Sequence, residues 1–64
     1  MKAYNITFQM RSGRAIGIAR KDDDIGAFIS DSIKGNYTTL WKTDGTPNVT
    51  ISVKEIETIE FVEV

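Results

Sequence analysis

The chain has no cysteine and no histidine. It therefore builds neither a disulfide framework, nor a zinc site of the usual Cys/His kind, nor a Ser-His or Cys-His nucleophile pair. One proline and one leucine, Leu40, occur in 64 residues, and no apolar run approaches the roughly 20 residues that span a bilayer. The start, Met1-Lys2-Ala3-Tyr4-Asn5, lacks the apolar core of a signal peptide. A soluble, cytoplasmic protein with no membrane contact is the expectation. Large net charge is also missing: the formal value is −1 and the pI about 5.2, which argues against a general nucleic-acid coat. The length accommodates one domain, residues 1–64, since independently folding units seldom run below about 50 residues.

Against the single leucine stand nine Ile, four Val and seven Thr. Side chains branched at Cβ fit a pleated surface better than a helix, so strand should dominate. Tyr4, Ile6, Phe8 and Met10 alternate with Asn5, Thr7 and Gln9, the pattern of a half-buried strand. Arg11-Ser12-Gly13 suits a three-residue hairpin loop with Gly13 at the left-handed position, which sets Met10 opposite Arg14, Phe8 opposite Ile16 and Ile6 opposite Ile18. A two-residue loop would put Ile16 and Ile18 on the wrong face, so binary pattern and turn chemistry select the same register.

Asp22-Asp23-Asp24 precedes Ile25, Phe28, Ile29 and Ile33, whose spacing predicts a helix over residues 22–34. Asp22 is the expected cap, the other two carboxylates sit at the positive end of the helix dipole, and Gly35-Asn36 suits a left-handed terminus. The apolar stripe should bury Phe28 and Ile29 against Ile6, Phe8 and Ile18. Tyr37 to Thr43 alternates again, and a loop of Asp44-Gly45-Thr46-Pro47 would place Thr43 opposite Asn48 and Leu40 opposite Ile51. A tight turn near Lys54-Glu55-Ile56 then leads to a last strand over residues 58–64. The predicted class is α+β, in the order β-β-α-β-β with a fifth strand at the C-terminal end, one helix lying on an antiparallel sheet. No internal repeat or low-complexity segment is present.

Sites of chemistry are sparse. The Asp22-Asp23-Asp24 run lacks the alternating ligands and distant Glu of a calcium loop, and successive residues at a helix start diverge around its axis, so capping accounts for them better than metal does. Arg11-Ser12-Gly13-Arg14 lacks the following helix that a phosphate loop requires. Glu57 and Glu60 form a carboxylate pair with nothing to set it beside a cleft, and a charged edge strand is the simpler account. No catalytic residue, cofactor or metal site is assigned.

Two distributions stand out. Residues 1–21 carry Lys2, Arg11, Arg14, Arg20 and Lys21 with no acid, a local +5, whereas residues 22–64 carry three bases and nine acids, a local −6. Such a basic hairpin either neighbours the acidic segments within the fold or receives an anionic partner through its arginines. The second distribution is the sheet face turned away from the helix, expected to display Asn5, Thr7, Gln9, Ala15, Gly17, Ala19, Tyr37, Thr39, Trp41, Thr50 and Ser52. Small residues beside two aromatics suit close packing with a partner, or simple solvation, or stacking of unpaired bases.

The tail Ile51-Ser52-Val53-Lys54-Glu55-Ile56-Glu57-Thr58-Ile59 resembles the last strands of Sm-like RNA-binding barrels. A helix between the second and third strands departs from that family's order, and no residue role follows from the resemblance. A chain this short buries little core, and association between copies is the most accessible extra source of stability. The sequence thus points to a non-enzymatic interaction module of accessory or inhibitory type, binding a protein partner or itself, with Arg11, Arg14, Arg20, Tyr37 and Trp41 as its contact residues. The alternative is single-stranded nucleic-acid binding through Tyr37, Trp41 and the basic first hairpin.

Overall fold

The computed structural model describes residues 1–42 and 44–64. Five strands and one helix follow in the order β1 (Lys2–Met10), β2 (Ala15–Asp22), α1 (Ile25–Ser32), β3 (Tyr37–Trp41), β4 (Pro47–Ser52) and β5 (Ile56–Glu63), with a 3-10 turn over Val53–Glu55 before the last strand. The fold is α+β with antiparallel sheets. No helix among the described residues is long and apolar enough to cross a membrane.

The first hairpin forms in the register that the loop chemistry requires. Phe8 lies opposite Ile16 and Ile6 opposite Ile18. The Met10 N–H donates to the Arg14 carbonyl at 2.8 Å, and Gly13 adopts φ +94°, a conformation that side chains with a Cβ rarely tolerate. On the other side of β1 lies β5, also antiparallel, with Phe8 opposite Ile59 and Ile6 opposite Phe61. A bulge between Gln9 and Met10 interrupts this ladder, and the 3-10 turn is tied in where the Arg11 N–H donates to the Glu55 carbonyl at 2.8 Å.

The strands form two sheets, not one: β2-β1-β5 and β3-β4. Their inner faces, with the helix, enclose a core of Tyr4, Ile6, Phe8, Met10, Ile16, Ile25, Leu40 and Ile51, against which Ile18, Phe28, Ile29, Val49, Ile56 and Ile59 pack half-buried. The second hairpin differs from expectation by two residues. Leu40 pairs with Val49 and Thr38 with Ile51, whereas Leu40 was expected opposite Ile51. The loop is closed by the Lys42 N–H donating to the Thr46 carbonyl at 2.9 Å, and Asp44 accepts from both the backbone N–H and the hydroxyl of Thr46. Up to Leu40 the two-residue shift preserves the face of each paired side chain, and a bulge between Leu40 and Trp41 then sets Trp41 opposite Pro47; Leu40 is buried and Trp41 points outward as alternation along β3 demands. The expected pairing of Thr43 with Asn48 lies outside the described residues.

The helix is shorter than its periodicity suggests. It runs from Ile25 to Ser32, not over 22–34, because Asp22 still belongs to β2. The cap is Asp24, whose carboxylate accepts from the Ala27 N–H at 3.0 Å, while Asp22 accepts from the Asp24 N–H at 3.0 Å. Since the helix stops at Ser32, Ile33 falls beyond the apolar stripe and is exposed. The expected left-handed terminus at Gly35 does not form: among the described residues only Gly13 and Gly45 have positive φ.

Candidate interaction surface

Splitting the strands into two sheets dismantles the single outer face. The outer side of β2-β1-β5 carries Ala15, Gly17 and Ala19, then Asn5, Thr7 and Gln9, and then Thr58, Glu60 and Val62, which sequence reasoning left out because the pairing of β5 with β1 spans most of the chain. Tyr37, Thr39, Trp41, Thr50 and Ser52 belong to the other sheet, where the Thr39 and Thr50 hydroxyls share a hydrogen bond at 2.8 Å.

The five contact residues named from the sequence separate accordingly. Arg11 is engaged at the 3-10 turn, its Nε donating to the Lys54 carbonyl at 3.1 Å. Arg14 stands exposed at the hairpin tip. Tyr37 is exposed at the far end of β3, over a shallow depression with Gly35, Asn36 and Lys54. Arg20 and Trp41 line one cleft.

They flank the seam between β2 and β3, where among the described residues no strand pairing joins the two sheets. A cleft of about 550 Å³ opens there, with Ile18, Phe28 and Leu40 offering apolar surface and Arg20, Lys21 and Lys42 supplying cations. It continues into a second opening bounded by Gly17, Ile18 and Ala19 on one side and Trp41 and Lys42 on the other. Trp41 is 53% exposed, a large aromatic at the mouth of an apolar depression.

Arg20 is held from two directions. Its guanidinium lies 3.8 Å above the centre of the Phe28 ring, and its Nε donates to the Asp22 carboxylate at 3.0 Å. The Asp24 N–H first, and the Arg20 guanidinium second, hold the Asp22 carboxyl below its usual range. Sequence reasoning missed Phe28 and Lys42 as parts of this surface. Phe28 read as core because its spacing with Ile25 and Ile29 marks a helix stripe, while Lys42, adjacent to Trp41, was visible in the sequence but not its side of the sheet.

Among the described residues no polar or charged residue is buried, and no group of three acidic, His or Cys side chains is placed to hold a metal ion. Glu57 and Glu60 are exposed on β5, at the bulge and opposite Thr7 respectively. The arrangement is suited to binding through shape, apolar contact and charge. Neither a protein-family model, nor a curated protein, nor a solved structure matches the chain.

Proposed function

We propose that the protein is a non-enzymatic interaction module that associates with copies of itself through the β2–β3 seam and acts as an accessory or inhibitory binding protein. The observation that carries this reading is Trp41, 53% exposed beside the apolar cleft floor while its neighbour Leu40 is 1% exposed. Aromatic anchors of this kind contribute a disproportionate share of interface energy. The core is small, and contact between copies removes more apolar surface from water. Trp41→Ala is expected to weaken association by about 2 kcal/mol while leaving the monomer folded. As the sole tryptophan, Trp41 also reports directly: iodide should quench its fluorescence in dilute protein and lose access as the protein associates. Quenching that is independent of concentration, together with unaltered association of Trp41→Ala, overturns the proposal.

Single-stranded nucleic acid is the second reading, favoured by the convergence of Trp41 with Arg20, Lys21 and Lys42 at one cleft. Base stacking on an aromatic beside cations is the usual recipe for such binding. Affinity for an oligonucleotide that falls steeply with added salt supports it, because phosphate contacts release counterions.

A further inference from the structure

The three-stranded sheet ends in two free edges. In the order β2-β1-β5, both outer strands pair, among the described residues, with β1 alone, and each is 8 residues long. Which backbone groups lie free follows from the ladder. The Met10 N–H bonds to the Arg14 carbonyl and the Val64 N–H to the Ala3 carbonyl. Even-numbered residues of β2 and of β5 therefore turn their backbone groups toward β1, and Gly17, Ala19 and Lys21 on one edge, with Ile59, Phe61 and Glu63 on the other, turn theirs outward. Unpaired edges of this length are templates for another strand.

From these edges, and resting on the self-association proposed above, we infer that the occupant of the cleft is β5 of a second copy, added to the β2 edge so that the sheet continues from one molecule into the next. The registers define the match. Tyr4 lies opposite both Arg20 and Glu63, Ile6 opposite both Ile18 and Phe61, and Asn5 opposite both Ala19 and Val62. A sheet continued at the same level sets Glu63 of one copy beside Arg20 of the next, Phe61 beside Ile18, and Val62 beside Ala19. Phe61 and Val62 are 49% and 64% exposed, and this junction covers both. The entering strand carries Glu57, Glu60 and Glu63, and the cleft that receives it carries Arg20, Lys21 and Lys42.

The two symmetric alternatives fail on charge. Joining β5 to β5 lines up six glutamates against only the Lys2 that lies 3.8 Å from Glu63 in each copy, and joining β2 to β2 gathers Arg20 and Lys21 of both copies against only the Asp22 of each. Like charges at a junction oppose it. The favoured contact is head-to-tail, which closes into a ring or runs on as a filament.

Sedimentation and native mass measurement across concentration test this on the intact chain with four samples besides wild type. Ala19→Pro removes an outward N–H from the β2 edge without touching the β1 ladder. Arg20→Glu and Glu63→Arg each place like charges at every junction, whereas an equimolar mixture of the two restores an opposite pair at each junction between unlike copies. The expected result is that each single variant associates about tenfold or more weakly than wild type, with unchanged circular dichroism, and that the mixture regains wild-type assembly. An Ala19→Pro variant that assembles as well as wild type, or a mixture that stays as weak as its components, places the contact elsewhere and overturns this inference while leaving self-association standing. Wild type that remains at 7.2 kDa at high micromolar concentration overturns both.

Discussion

The Arg20 guanidinium stacks 3.8 Å above the Phe28 ring, linking the end of β2 to the middle of the helix. Phe28 is only half-buried, and its outer face is covered by this cation. Phe28→Ala is expected to cost about 2 kcal/mol, less than deletion of a fully buried phenylalanine. A double-mutant cycle of Phe28→Leu with Arg20→Met should return a coupling of about 0.5 to 1 kcal/mol in denaturant titrations. Strict additivity of the two would show that the stacking contributes nothing.

Phe8 provides the contrast. It is fully buried at the centre of β1, with ladder partners on both sides. Phe8→Ala should cost about 3 to 5 kcal/mol, comparable to what a core of this size supplies in total. The variant is expected to be unfolded at room temperature by circular dichroism, and a cooperative thermal transition near that of wild type would contradict the assigned core.

Two glycines should respond to alanine in opposite ways. Gly13 has φ +94° with open space around its Cα, so Gly13→Ala meets no neighbour and yet strains the backbone by about 1 to 2 kcal/mol. Gly17 also faces open space but has no positive φ, so alanine there should raise stability by about 0.4 to 1 kcal/mol through the unfolded chain. Paired melting curves of the two variants read this difference in sign.

Acid should release the turn that precedes the helix. Asp22 and Asp44 both titrate below the ordinary carboxylate value, Asp22 through the Asp24 N–H and then Arg20, Asp44 through the Thr46 hydroxyl and then its N–H. A depressed native pKa adds stability that is fully present above the unfolded value of about 3.9 and is lost as pH falls through the lower native value. An NMR titration of the Asp24 amide should therefore show a midpoint below about 3.9. A midpoint at or above it would mean that the Asp22 hydrogen bonds do not persist in solution.

How far the sequence foretold this structure depended on distance along the chain. The first hairpin was legible to the residue because Gly13 and the alternation of Ile16 and Ile18 each independently demand the same loop. Outward exposure of Trp41 was legible too, since alternation along β3 turns it away from Leu40 whatever residue it pairs with across the hairpin. That shift was not legible: Asp44 binds Thr46 and draws the loop closed from Lys42 to Thr46, and Asp-Gly-Thr-Pro is equally compatible with a longer ladder. Sequence reasoning put the cap at Asp22, two residues early, because only the continuation of β2 through Asp22 selects Asp24. The pairing of β5 with β1 carries no local signature, so the division into two sheets, and with it the seam that brings Arg20 to Trp41, had no sequence signal to announce it.

The same pairing orders the events of folding. Both hairpins close over short loops and need nothing downstream, but the third strand of the main sheet consists of residues 56–63 and docks against residues 4–10. Before β5 docks, both hairpins and the helix segment are complete in sequence, with the β5 side of β1 still bare. Loop closure over that span is expected to be the slow step for a chain of this size, because its entropy is lost before the Phe8–Ile59 and Ile6–Phe61 pairs form. Until then the exposed edge of β1 presents an alternating apolar strand to any neighbouring chain, and exchange of β5 between copies is the misfolding route expected of this topology.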